Sequence, residues 1–251
     1  TDRTKVAMPE VGLGFFPDVG VTPLLSQAPG ETGTYFGLTG HPMNGPDAIY
    51  EGFADAGVTS RKLAALRAKF DKQSGDVFLF TASRLVLSRG VEDVIEALAH
   101  LPGRVKFLVA GSGEDREKLE HIASGLEVRE RVSFAGHVSH TELPAYLQIS
   151  DIFVRPSIIE GFGNAFVEAF AAGIPIIGTP VGGIPDFLKD DETGLFCEVR
   201  NPKSIAAAVE KYLNDPALVA RVVANARALA FEKYDWNLIA REMREKIFLA
   251  V

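Results

Sequence analysis

From residue 60 onward the chain alternates short, almost wholly apolar runs with longer stretches whose apolar residues recur at helical spacing. The apolar runs are VFLFTA (77–82), VKFLVAG (105–111), VSFAG (132–136), DIFVRPS (151–157), IPIIGT (174–179) and TGLFCEV (193–199). Helical patterns lie between and after them, near 91–100, 114–124, 139–149, 164–172, 202–213, 216–231 and 235–248. Strands buried on both faces read as continuous apolar runs, and alternation with amphipathic helices implies a parallel sheet covered on both sides. The pattern predicts an α/β domain with a Rossmann-like, doubly wound parallel sheet of about six strands. Upstream of it, SRKLAALRAKF (60–70) reads as a helix and Gln73-Ser74-Gly75-Asp76 as a turn. In the last stretch Trp236, Ile239, Ala240, Met243 and Ile247 share one face, the spacing of ordinary core packing or of a partner surface.

The first 58 residues do not continue this pattern. They hold 16 Gly and Pro, against 22 in the other 193 residues, and carry two basic and seven acidic side chains. Such a break in composition predicts two different pieces of protein. VAMPE reads as a short strand, Asp18 as a helix cap, and Gly30 and Gly40 as helix ends. Glu10 and Asp18 stand eight apart across a Gly/Pro-rich loop. They have the residue types for acid–base work, and equally those of caps and exposed loop charges.

The whole chain has a net charge of −7 and a pI near 5.3, which argues against a nucleic-acid backbone or anionic membrane as its main partner. The single cysteine, Cys197, excludes an internal disulfide and a cysteine-based zinc site, and inside an apolar run it reads as a core residue. His137 and His140 in GHVSH lack a third ligand nearby, so no metal site is expected. No apolar run approaches the roughly 18 residues of a membrane span, and TDRTKVAMPE has no signal-like apolar stretch. A cytoplasmic protein is expected. Without an initiator Met, the chain reads as a fragment.

Ligands of such sheets bind beyond the carboxyl ends of the strands, so the chemistry is sought in the loops there. Gly161-Phe162-Gly163-Asn164 opens a helix after the fourth apolar run, and its free N–H groups favour a phosphate or another anion. Glu160 precedes that helix and Glu168 falls within it. A carboxylate beside a diphosphate is repelled, so the plausible partners of both are sugar hydroxyls, for which vicinal diols offer bidentate contact. Alternatively, Glu160 is a charge stabilising the helix dipole and Glu168 a solvated helix residue. Arg84 and Arg89, flanking SRLVLSRG (83–90), would neutralise a diphosphate and help it leave, or are two exposed surface arginines.

The motifs SRLVLSRG, GSGE, RVSFAGHV, SDIFVRPSIIEGFGNAFVEAFAAGIPIIGTPVGGIPD and DDETGLF occur in the order and spacing of a known family. Residues 76–251 resemble the C-terminal, donor-binding domain of family 4 retaining glycosyltransferases with the two-Rossmann GT-B fold. The resemblance implies that Arg84 and Arg89 hold the diphosphate of a nucleotide-sugar donor. It implies further that Glu160 contacts the donor sugar, with Gly161, Phe162, Gly163 and Asn164 over sugar and phosphate. Glu168 would bind the ribose, and backbone near Val138 would meet the base. Such enzymes need no essential metal. Arg155 departs from the pattern, which has an aliphatic residue there.

Residues 1–58, through MPEVGLGFFPDVG and LTGHPMNGPDAIYEGFAD, resemble a central segment of the crotonase superfamily, nearest to 3-hydroxyisobutyryl-CoA hydrolase and enoyl-CoA hydratase-like proteins. Glu10 and Asp18 match that hydrolase's acidic active-site positions, and the implied ligand is a coenzyme A thioester. The Gly-rich oxyanion loop of that family is absent. The expected organisation is therefore a chimera: a crotonase-like fragment at 1–58, a seam or linker helix at 59–75, and a glycosyltransferase donor domain at 76–251. The leading expectation is a nucleotide-sugar-binding domain, inactive alone because its N-terminal acceptor domain is missing or supplied by a partner. The alternatives are an acyl-CoA hydratase or hydrolase and a non-enzymatic α/β binding module.

Overall fold

A computed structural model of the chain describes residues 28–30, 32–39, 42–43, 47–48, 58–234 and 236–248. Glu10 and Asp18 lie outside the described residues. The chain divides into two compact units, Thr1–Lys69 and Phe70–Val251. In the first, helices α1 (Thr32–Thr39) and α2 (Ser60–Lys69) are described. Helix α2 is the one expected from SRKLAALRAKF. Thr59 caps it, its hydroxyl oxygen accepting from the Lys62 N–H at 3.1 Å.

The second unit is built on a six-stranded, all-parallel sheet of order β3-β2-β1-β4-β5-β6. The strands are β1 (Val77–Ala82), β2 (Val105–Ala110), β3 (Val132–Gly136), β4 (Ile152–Arg155), β5 (Ile176–Gly178) and β6 (Leu195–Phe196). Each sits within one of the apolar runs. Helices α3 (Val91–Leu98), α4 (Arg116–Gly125), α5 (Leu143–Gln148) and α6 (Asn164–Ala172) connect them in turn. Helices α7 (Pro202–Asn214), α8 (Pro216–Lys233) and α9 (Trp236–Met243) follow the sheet. Asn201 and Asp215 cap α7 and α8 through side-chain oxygens, each followed by proline in the first helical position, where no N–H is needed. A π turn over Arg244–Phe248 ends the described chain. Of the terminal face marked in the sequence, Ile239 is half-buried whereas Ala240 and Met243 are exposed.

Side chains alternate across a strand, so each strand serves two cores. Leu79, Phe107, Val109, Ile152, Val154 and Ile177 face a core completed by Val94, Ile95 and Leu98 of α3, Leu119 of α4, and Ile205 and Val209 of α7. The opposite parity supplies an aromatic core. Phe80 and Phe153 stand 6.2 Å apart, Phe153 and Phe166 5.3 Å, and Phe166 and Phe187 5.7 Å, between ring centroids. Phe80, Phe153 and Phe166 are fully buried. A buried side chain of this size stabilises the fold by about 1.5–3 kcal/mol relative to leaving it in water. Two filled faces therefore hold the carboxyl ends of the strands rigidly, and the functional loops depart from those ends.

Candidate functional site

β1 and β4 are neighbours although two further strands separate them in sequence. The connections diverge there, leaving a crevice over the carboxyl ends of the strands. A cleft of about 840 Å³ occupies that place. Its walls come from Ser83 and Arg84 after β1, Gly111, Ser112 and Gly113 after β2, and His137, Val138 and His140 after β3. Arg155, Glu160, Phe162, Gly163, Asn164, Ala165 and Glu168 complete it from β4 and α6.

Backbone makes much of the floor. Pairing continues past the strand ends, with Ser83 N–H donating to Ala110 O at 3.0 Å and Gly111 N–H to Gly136 O at 2.7 Å. Gly111 has φ +135°, and a Cβ there would fall on the Ser83 carbonyl oxygen, so only glycine lets these two loops meet. The turn carrying the two arginines is pinned as well. Leu87 N–H donates to Asp115 Oδ2 at 2.9 Å, and Ile158 N–H donates to Ser88 O at 2.9 Å, which ties the β1 loop to the β4 loop.

The two arginines leave that turn differently. Arg84 lines the cleft. Arg89 does not; its Nη1 lies 2.7 Å from Glu160 Oε2 and donates to Ile159 O at 3.2 Å. Glu160 is only 8% exposed, and Arg155 Nη2 approaches the same Oε2 at 2.9 Å. Ser157 donates its hydroxyl to that oxygen too, at 3.2 Å. Among the described residues these contacts all converge on Oε2. Arg155 shares the parity of Phe153, which aims its guanidinium at the aromatic core, 5.7 Å from the Phe166 ring centroid. Burial pulls its pKa down to about 10, although the Glu160 carboxylate pulls the other way, so it remains a cation at neutral pH.

Helix α6 begins after Gly163, whose φ of 79° turns the chain into the helix. Asn164 and Ala165 line the cleft with first-turn N–H groups that have no intrahelical carbonyl. One turn on, Glu168 faces the same cleft and lies 3.4 Å from His140 Nδ1. Glu160 and Glu168 thus border one cavity. Behind them the loop after β5 braces the Glu160 turn, with Gly183 N–H donating to Gly161 O at 2.9 Å.

Of the residues singled out in the sequence, Arg84, Val138, Glu160, Phe162, Gly163, Asn164 and Glu168 line the cleft, whereas Arg89 and Gly161 do not. Arg155 belongs to the cleft although its motif position marked it only as an oddity. Ser83, Ser112 and Ala165 also line it and carried no sequence signal beyond their loops. Among the described residues no group of three His, Cys, Asp or Glu side chains is placed to hold a metal ion. Nor is any helix there long and apolar enough to cross a membrane.

These features define a class: an α/β domain with a crevice at the switch point of a parallel sheet, lined by arginine and glutamate side chains and the start of a helix. Residues 64–229 match the family model for glycosyl transferases group 1, and the chain belongs to that family. It is 34% identical over 178 residues to the uncharacterized glycosyltransferase MJ1607 of Methanocaldococcus jannaschii, covering 70% of this chain and 46% of that protein. It is likewise 34% identical over 196 residues to glycogen synthase of Mycobacterium tuberculosis, covering 75% of this chain and 47% of the synthase. Its structure resembles Alr3699/HepE of Anabaena, crystallised with UDP and glucose, with a TM-score of 0.71 and 22% identity over 76% of this chain and 53% of that one. The fold is therefore Rossmann-like and of the GT-B type. The chain spans about half the length of the curated relatives it matches. The family match begins at residue 64, and these relatives give no support to a crotonase-like segment or a chimeric origin.

Proposed function

We propose that residues 70–251 bind the nucleoside diphosphate sugar of a retaining glycosyltransferase. The observation that carries this reading is the convergence of Glu160, Glu168, Arg84 and the α6 N-terminus on one cleft. Arg84 and the first-turn N–H groups of Asn164 and Ala165 offer the cleft anion-accepting groups. Glu160 and Glu168 are carboxylates, which a diphosphate would repel and hydroxyl groups would not. In this reading the diphosphate is held by Arg84 and the helix N-terminus, the sugar by Glu160 with the Gly161–Asn164 backbone, and the ribose diol by Glu168. Val138 on the β3 loop then faces the base. A ribose arriving at Glu168 replaces its exposed contact with His140.

Breaking the bond between sugar and diphosphate builds negative charge on the departing phosphate oxygens. Arg84, Arg89 and the helix N-terminus stabilise that charge. The acceptor is assigned to a second domain, in the same longer protein or a partner, consistent with relatives of which the matched region covers 46% and 47%. Within this reading the donor unit is self-contained, and residues 70–251 are expected to bind donor without residues 1–69.

Thermal shift with UDP, GDP, ADP and coenzyme A tests the assignment. A nucleoside diphosphate should raise the melting temperature, and Glu168→Ala should remove most of that rise. Stabilisation by coenzyme A alone would favour the acyl-CoA reading of residues 1–58 instead.

A further inference from the structure

Arg155 is a costly residue to keep. It is 7% exposed at the end of β4, its Nε has no hydrogen-bond partner among the described residues, and an apolar side chain would fill the same place against Phe166 without desolvating a charge. Its use must lie in the charge itself. That charge meets Glu160 Oε2, an oxygen already paired with Arg89. One cation balances one carboxylate, so one of the two arginines is in surplus.

The two are held differently. The Arg155 side chain is 8% exposed, packed over Phe166 with Nη1 3.5 Å from the Ala82 carbonyl oxygen. The Arg89 side chain is 26% exposed, at the outer end of the same ion cluster. Arg89 is therefore the arginine that can leave. A diphosphate ester brings two negative charges; of the two arginines that line the cleft, Arg155 faces Glu160, so Arg84 supplies one positive charge against them.

We propose that Arg155 is the standing counter-ion of Glu160, a positioning residue whose charge lets Arg89 exchange the carboxylate for the donor's diphosphate when the donor binds. This rests on the nucleotide-sugar reading above. With Arg155 in place, Glu160 and Arg155 form a neutral pair, and Arg84 with Arg89 matches the diphosphate charge for charge. Without it, Glu160 retains Arg89, and the diphosphate meets Arg84 alone. The guanidinium stays charged throughout the neutral range, since burial brings its pKa down only to about 10.

The test is a double-mutant cycle on the full chain, read by calorimetric titration with whichever of UDP, GDP and ADP binds the wild type most tightly. Arg155→Met keeps the volume and removes the charge; it should weaken the nucleoside diphosphate about tenfold. Arg155→Lys should recover most of that loss. Glu160→Gln alone should change affinity little, because its assigned ligand is the sugar. The double variant Arg155→Met/Glu160→Gln should bind within about twofold of Glu160→Gln, since Arg89 is then free without a counter-ion. A merely structural Arg155 would predict a loss that persists in the double variant, and that result overturns the proposal. So does an Arg155→Met protein that binds the nucleoside diphosphate normally and loses only the nucleotide-sugar, which would make Arg155 a direct sugar contact. A wild type that binds none of the three nucleotides sinks the nucleotide-sugar reading and this inference with it.

Discussion

The Cα of Gly182 packs against the main-chain carbonyl of Glu160 so closely that a Cβ on Gly182 would occupy the position of that oxygen. Gly182 also has φ +54°, a conformation L side chains rarely adopt. The loop after β5 thus sets the height of the carboxylate assigned to the sugar. Gly182→Ala should cost roughly 1–3 kcal/mol of stability and displace the Glu160 turn. Titration with a nucleotide-sugar should show a larger loss than titration with the nucleoside diphosphate. Equal losses would mean that the brace does not act through Glu160.

The two cleft carboxylates should separate by ligand. Glu168→Ala is expected to weaken nucleoside diphosphate and nucleotide-sugar alike, by at most about 1.5–3 kcal/mol per charge-assisted hydrogen bond to ribose. Glu160→Ala should weaken only the nucleotide-sugar. If both variants affect the two ligands in the same way, the division between sugar and ribose is wrong.

Arg84→Ala should reduce nucleoside diphosphate affinity more at low salt than at high salt. The contact is electrostatic, and it lies in an open cleft where ions already screen it. Titrations at two ionic strengths check this. A loss independent of salt would point to packing.

Asp93 is 7% exposed in the first turn of α3, and its Oδ2 has no partner among the described residues. Burial holds its pKa above the ordinary carboxylate value, with Glu96 pushing the same way and Arg200 opposing. A raised carboxyl pKa means that the fold holds the proton more tightly than the unfolded chain. That contribution is fully present below the unfolded pKa and is lost as pH rises through the folded one. Asp93→Asn should therefore melt a few degrees higher than the wild type at neutral pH. The advantage should shrink toward about pH 4, where the carboxyl protonates in both states. A difference that did not vary with pH would rule out ionisation as its cause.

Cys197 is 3% exposed beside the Gly178 carbonyl, and burial pushes its thiol pKa up to about 12. Thiolate is the reactive form. Iodoacetamide at about pH 8 should leave the folded protein unmodified and alkylate it once denatured, as mass spectrometry would report. Rapid labelling of the native protein would show that the strand end opens.

The strands and helices of the second unit were legible because local pattern sufficed. VFLFTA and VKFLVAG are apolar on both parities, and the β1–β2 pair they form is buried on both faces. The helical patterns near 202–213 and 216–231 match helices that begin at Pro202 and Pro216, where Asn201 and Asp215 cap the first turn. The loops of the site were legible for a similar reason, since a doubly wound sheet leaves its crevice at known strand ends.

Partnership within the cleft was not legible. Spacing placed Glu160 before a helix and Glu168 inside it, but their meeting on one cavity depends on how the loop folds back onto the ends of β1 and β4. Arg89 read as a diphosphate ligand, yet it rests on Glu160, a residue 71 positions away in sequence. Arg155 read as an oddity in an apolar strand. Its parity with Phe153 was visible in DIFVRPS, but its charge acquires a purpose only beside a carboxylate delivered by another loop.

The alternation of apolar runs and amphipathic stretches, by itself, determined the parallel sheet, its helices and the strand ends where a ligand would sit, because burial on both faces of a strand leaves a local signature. Strand order was decided in three dimensions, and with it the pairing of β1 with β4 that opens the cleft. The same holds for the sharing of one Glu160 oxygen between Arg89 and Arg155. Ion pairs and cavities are made by residues distant in sequence, and no local periodicity records which loops will be brought together.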